Sequence, residues 1–213
     1  MSLLCDVFNL DPGRAAPIYY DPNVFELSRK WALTVDGRMV SILTTTGLTF
    51  GWGRCIGIAG VATDHEHRGR GLAHKLIEHV LDVAKTEGEG PAMLFAHRTS
   101  LYKELGFELK DEVIRGRIVA TGANQPLDAL SSENIKFQYD AWAAKSVNRL
   151  VRTPDRWSYW NMSCRVCEPF LGGYACVEPG VVREAVVDSP MGKWPVGVGC
   201  GFYGLRSVAK SIG

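Results

Sequence analysis

A chain of 213 residues, 46% hydrophobic and 22% charged, is long enough to fold as one large domain, or as one domain and a smaller appendage, around a buried core. Its net charge of +1 gives no overall electrostatic footprint for nucleic acid or an acidic membrane, so any anion must be held by a local site. No apolar run approaches the length of a membrane span. The opening MSLLCDVFNL is too short and too acidic for a signal peptide and has no basic start, so the six cysteines are expected as reduced thiols of a cytoplasmic protein.

In chain order, KWALTVDGRMVSILTTTGLTF carries an Asp36-Gly37 pair between two β-rich runs, a strong hairpin signal. Cys55 to Thr63 is apolar on both faces, as in a central strand. From Gly71 to Glu87 a helix is expected, with Ala73, Leu76, Ile77, Val80 and Ala84 on one stripe, stopped by Gly88, Gly90 and Pro91. Ala92 to Ala96 is a second buried strand, parallel to the first if the helix is a crossover. TSLYKEL then forms a short helix ended by Gly106, and FELKDEVIRGRIVA returns to strand.

After Ala120 the composition changes. TGANQPLDALSSEN reads as a linker, and residues 121–213 as a separate C-terminal extension to a first domain of residues 1–120. Within the extension, Ile135, Tyr139, Trp142, Ala143, Val147 and Leu150 space out as one helix face. Thr153 and Pro154 open another helix, and a hairpin turns around Glu178-Pro179-Gly180. Four tryptophans, Trp142, Trp157, Trp160 and Trp194, provide apolar area to bury, against the first domain or in a homo-oligomer. Cys164 and Cys167 form a CxxC pair with Cys176 nearby. A zinc site would need a fourth ligand and no histidine follows His97, so half-buried thiols are expected and no metal.

The chemistry concentrates in GVATDHEHRGRGLAHKLIEHVL, from Gly60 to Leu81. A buried strand ends at Thr63, a polar loop follows, and two glycines open a helix. The first N–H groups of a helix lack intrahelical partners and its dipole favours an anion there. Gly69 and Gly71 remove side chains that would hold a ligand off the backbone, while Arg68 and Arg70 add positive charge. This is the make-up of a pyrophosphate cradle. It is neither a P-loop, since GxxxxGK is absent, nor a dinucleotide fingerprint, since the third glycine is missing. A solvated glycine-rich turn is the plain alternative, and another phosphate-binding fold a further one.

The order of the cradle residues, Arg68, two residues, Gly71, one residue, Ala73, resembles the signature loop of the GCN5-related N-acetyltransferase (GNAT) superfamily. A second family signature, a tyrosine four residues before Gly-Phe, is matched by Tyr102, Gly106 and Phe107, one helix and one strand later. The likeness runs from about Arg29 to Ala120 and looks closest to the enhanced-intracellular-survival type branch, whose members carry an extra C-terminal region, often built like part of a second acetyltransferase fold. It implies an α/β fold: a mixed central sheet with flanking helices, a parallel strand pair that splays apart at a cofactor notch, and a smaller α+β C-terminal region. The family precedes the hairpin with a strand and two helices. Only about thirty residues are available here, so the first strand is expected to be missing or supplied differently.

The resemblance also implies acetyl transfer from acetyl-CoA to an amine. Val61, Ala62 and Thr63 would present backbone groups to the pantetheine arm. Arg68, Gly69, Arg70, Gly71, Leu72 and Ala73, with His74 beside them, would hold the pyrophosphate, and His97 and Arg98 would line the thioester end. Tyr102 would protonate the leaving sulfur, or else serve only as an amphipathic core residue. For the base, Asp64, His65, His67, His97 and an ordered water all stand open. A non-catalytic module that binds acyl-CoA is the alternative function. The acceptor is not identified; few acidic residues cluster near the pocket, which gives no argument for a polycationic one.

Overall fold

The computed structural model describes residues 2–22, 26–112, 129–163, 166–170, 173–178, 181–186 and 206–210. They fall into two compact units, the first drawn from residues 1–49, 53–112 and 206–213, the second from 50–52 and 113–205.

The first unit opens with two short helices, α1 (Ser2–Phe8) and α2 (Pro12–Tyr19). Among the described residues these two helices, and no strand, precede the hairpin. The hairpin joins β1 (Lys30–Val35) to β2 (Arg38–Phe50), with Val35 opposite Arg38. Asp36 and Gly37 both take positive φ, 50° and 76°, the backbone a two-residue turn needs to match strand twist. Then follow β3 (Gly53–Thr63), α3 (Leu72–Thr86), β4 (Ala92–Ala96), α4 (Ser100–Lys103) and β5 (Glu108–Glu112). Of the expected stripe on α3, Leu76, Ile77, Val80 and Ala84 are buried and, joined by Leu81, pack with Ile56, Ile58, Leu94, Leu105 and Phe107, while Ala73 is half-buried. Each large aliphatic side chain buried this way stabilises the fold by roughly 1.5–3 kcal/mol. Beyond Glu112 the expected strand, and the linker up to residue 128, lie outside the described residues.

The second unit contains α5 (Ser132–Ala143), β6 (Leu150–Val151), α6 (Pro154–Ser163) and the antiparallel strands β7 (Cys167–Phe170), β8 (Gly173–Glu178) and β9 (Val181–Val186). Glu178 pairs with Val181, in keeping with the expected hairpin, while Pro179 and Gly180 themselves, like Cys164 and Trp194, lie outside the described residues. The helix expected to reach Leu150 stops at Ala143, and Val147 is exposed. Arg149 supplies the reason: its guanidinium donates to the Trp142 carbonyl and lies 4.1 Å from the centre of the Trp142 ring, closing the last turn. Cys167 and Cys176 face each other across the β7–β8 ladder without a disulfide between them, and both are fully buried rather than half-buried.

Arg152 lies at the centre of this second core. Its guanidinium sits 3.8 Å from the Tyr139 ring centre and 4.8 Å from that of Trp157, and it forms a two-pronged ion pair with Glu184. The Tyr174 hydroxyl donates to the same carboxylate at 2.5 Å, and burial followed by the Glu184 charge pushes its pKa far up. Removing one member of such a pair strands the other charge, which typically costs about 3–5 kcal/mol. We expect Arg152→Met to destabilise the second unit by that order, read by tryptophan fluorescence in denaturant, and Arg152→Met/Glu184→Leu to recover much of the loss. Equal stability of wild type and single mutant would show the pair to be dispensable.

The last strand, β10 (Arg206–Lys210), returns to the first unit. It runs antiparallel to β4 on one side and to β5 on the other, giving the order β1-β2-β3-β4-β10-β5. The division at residue 120 is therefore corrected at its far end: residues 121–213 are not one extension, since 206–210 complete the first sheet. The crossover from β4 through α4 to β5 skips one ladder position, and two open strand edges must pair with something. β10 pairs with both.

Candidate active site

The residues expected to serve acetyl transfer follow, in the chain, the carboxyl ends of the parallel pair β3–β4, where ligands of open α/β sheets commonly bind. The parallel ladder covers only Ile56–Ile58 opposite Ala92–Leu94, although β3 continues to Thr63 and β4 to Ala96. Past Ile58 and Leu94 the two strands no longer pair. That is the expected notch.

Gly60 shapes its β3 wall. Its φ of 62° breaks the strand alternation. Before it, Ile56 and Ile58 pack on the α3 core and pair toward β4; after it, Val61 packs on that core, while the Ala62 carbonyl and the Asp64 N–H bond back to β2. The parity therefore changes by one across Gly60, and of the three residues expected to present backbone at the notch, Ala62 has its carbonyl bonded to Ser41 of β2 and Thr63 has its carbonyl bonded to Arg68. A Cβ at Gly60 would come within 3.2 Å of Leu4 on α1, in addition to the strain of its φ. Hydroxyls of β2 steady the bulged strand: Thr44 donates to the Ala59 carbonyl at 3.1 Å, and fully buried Ser41 lies 3.3 Å from the Ala62 carbonyl and 3.1 Å from the Thr63 hydroxyl. A glycine inside a strand pattern was the available signal for the bulge; nothing in the sequence singles out the hydroxyls.

The loop after β3 is held by charge. Asp64 accepts from the Glu66 N–H at 2.9 Å and from Arg38 at 2.9 Å, and its other contact is His67 Nδ1 at 3.3 Å. These bonds, His67 first, hold its carboxyl below the ordinary 3.8. Asp64, Glu66 and His67 bring potential metal-ligating atoms within 4.8 Å of one another, and Arg38 pairs with both carboxylates, with Asp64 at 2.9 Å and with Glu66 at 3.7 Å. A depressed carboxylate pKa contributes stability that is present above its unfolded value and lost as pH falls through the folded one. Asp64→Asn is therefore expected to melt below wild type near about pH 7, with the gap closing as both are taken below about pH 3. A gap that persists in acid would assign the effect to packing.

Gly69 and Gly71 follow at φ 73° and 70°, and a Cβ on either would meet nothing within 4 Å. Gly71 is the N-cap of α3 and offers no side chain, in contrast to Ser131, whose hydroxyl accepts from the Asn134 N–H at the start of α5. The first intrahelical bond runs from Lys75 N–H to the Gly71 carbonyl, which leaves the N–H groups of Leu72, Ala73 and His74 without helical partners. Arg68 and Arg70 are exposed and folded back on the Thr63 and Glu66 carbonyls, at 3.2 Å each. His74 lies 3.5 Å from Glu78. Uncapped donors, open space and two arginines fit an anionic diphosphate.

On the other wall, His97 and Arg98 leave the end of β4 exposed. Tyr102 follows on α4. Its ring packs on the α3 core, edge-on to Phe107 at 5.9 Å, and its carbonyl accepts from the N–H groups of Leu105 and Phe107. Burial pushes its phenol above the ordinary 10.0, so it stays protonated well past neutrality.

A family model described as an acetyltransferase (GNAT) domain matches residues 1–110. The chain belongs to this family. Among solved structures, the GCN5-related N-acetyltransferase of Anabaena variabilis aligns over 100% of this chain and 69% of its own at 16% identity, with a TM-score of 0.71. The putative acetyltransferase of Pyrococcus horikoshii covers 99% and 84% at 10% identity and 0.72. Eis1 of Mycobacterium abscessus covers 99% and 70% at 14% identity and 0.68, one counterpart of the enhanced-intracellular-survival type branch. At these identities the likeness is one of fold, and it matches the mixed sheet of this GNAT domain. No curated protein matches by sequence. No helix among the described residues is long and apolar enough to cross a membrane.

Proposed function

We propose that this GNAT protein moves an acetyl group from acetyl-CoA to an amine nitrogen. The observation that carries the reading is the uncapped start of α3, open at Gly69 and Gly71, directly beside a notch between parallel strands. Acetyl-CoA, when bound, supplies the acetyl group as an activated thioester and a thiolate as leaving group. The N–H groups of Leu72, Ala73 and His74, with Arg68 and Arg70 swung off their carbonyls, hold its diphosphate. Backbone groups of Val61 and Thr63, at the end of β3, pair with the pantetheine amides as an added strand would. Backbone N–H groups of the same wall are suited to meet negative charge growing on an acyl oxygen. The Tyr102 hydroxyl keeps the proton that the departing sulfur needs. His97 and Arg98 lie along the exit of the second wall.

Two measurements test this together: calorimetry with coenzyme A, and free-thiol release from acetyl-CoA in the presence of amines. Binding with amine-dependent thiol release is the expected result. Binding without release for any amine would favour the acyl-CoA-binding module, and no binding would remove both.

A further inference from the structure

No step of the acetyl transfer proposed above uses a cysteine, yet two of them meet in the second unit: Cys167 and Cys176 are directly opposite in the β7–β8 ladder. Two observations fix which kind of opposite pair this is. The Cys167 carbonyl accepts from the Leu130 N–H at 2.8 Å and so faces away from β8. Pro169, opposite Tyr174 and in the same alternation as Cys167, has no N–H to give to the ladder. Both therefore sit at non-hydrogen-bonded positions, where facing Cα atoms come within about 4.5 Å and side chains lie closer than at the other pairs. A disulfide spans Cα atoms roughly 4.4–6.8 Å apart. Both side chains lie in one buried core, Cys167 3% and Cys176 0% exposed, with no disulfide between them.

We propose that Cys167 and Cys176 form a reversible disulfide, a modification site for hydrogen peroxide and other peroxides. The thiolate of one cysteine attacks a peroxide oxygen, the O–O bond breaks and water leaves, which turns that sulfur into a sulfenic acid. The other sulfur then attacks it, the S–S bond forms, and the hydroxyl departs with the second thiol's proton as another water. The two thiols lose two electrons and the peroxide gains them. A dithiol reverses the reaction by exchange and ends as a disulfide itself. Because both sulfurs are buried, the attack waits on local opening. β7 is short, it is an end strand of its sheet among the described residues, and Cys167 is its first residue, so fraying at that end is a low-cost opening. Once closed, the bond staples the second core. On one side the Cys167 carbonyl holds Leu130 at the entry to α5; on the other, Cys176 pairs with Glu184, the carboxylate that binds Arg152 and Tyr174.

The experiment treats the reduced full chain with hydrogen peroxide, blocks the remaining thiols with iodoacetamide and maps tryptic peptides by mass. Residues 166–183 form one tryptic peptide that holds both Cys167 and Cys176, while Arg165 separates it from Cys164. The expected product is that peptide two hydrogens lighter and without alkyl groups, and dithiothreitol added before blocking restores both alkylation sites. The unfolding midpoint in denaturant, read by tryptophan fluorescence, should rise on oxidation, fall back on reduction and not respond in Cys167→Ala. A peptide still carrying two alkyl groups after peroxide, a bond from either cysteine to Cys164, oxidation to sulfinic acid without a bridge, or a midpoint that oxidation leaves unchanged overturns the proposal. The mapping is made on wild type, so its outcome does not hang on whether Cys167→Ala folds.

Discussion

Tyr102→Phe is expected to turn over about 10²–10⁴-fold more slowly than wild type, the span general acid catalysis typically supplies, with coenzyme A affinity nearly unchanged. The ring is retained, so its contact with Phe107 and the α3 core should persist and the melting temperature should shift little. The pH profile gives a sharper readout. Because burial raises the phenol, the acid form persists as pH climbs, and the wild-type rate should fall only above the ordinary tyrosine value of 10.0. That alkaline limb should be missing in the mutant. A purely structural Tyr102 would keep full turnover and the same profile, and that outcome would remove the acid assignment without touching the family.

The second large effect concerns the cradle. Gly71→Val adds a β-branched side chain where φ is +70° and where the protein has no atoms of its own within 4 Å. The space is free of protein atoms, so the substituent would clash with ligand rather than with the fold. Left-handed backbone still costs a non-glycine residue about 1–2 kcal/mol, so a modest melting decrease is expected. Losing two N–H bonds to a charged diphosphate, at roughly 1.5–3 kcal/mol each, should weaken coenzyme A binding by about 10²–10⁴-fold. Gly71→Ala should fall between the two, since it shares the backbone strain and lacks the branch. Unchanged affinity in the valine mutant, by calorimetry, would mean that the diphosphate does not lie on the start of α3.

Much of the first unit was legible because its signals are local. Asp36-Gly37 determines a turn through its own backbone preferences, the α3 stripe follows from a 3.6-residue period, and Gly69 and Gly71 leave a helix start uncapped whatever surrounds them. In the second unit the β8–β9 hairpin was equally local, while the length of α5 was not. Its apolar spacing continues to Leu150, but a single side chain from beyond the helix, Arg149, turns back onto Trp142 and ends it.

Three features depended on residues distant in sequence, and only the tertiary structure decided them. The notch exists because β3 and β4 stop pairing after Ile58 and Leu94, and the alternation along its β3 wall changes by one at Gly60; such a change of parity cannot be read from an apolar run with both faces buried. The Arg38–Asp64–His67 set joins a residue of the hairpin to a loop 26 positions later. Most of all, Arg206–Lys210 fills the slot between β4 and β5, because hydrogen-bonding edges left open by a skipping crossover pair with whichever strand reaches them. Composition and period describe a segment and its faces. Partnership between distant edges is set when the sheet closes, and no local pattern in RSVAK announces it.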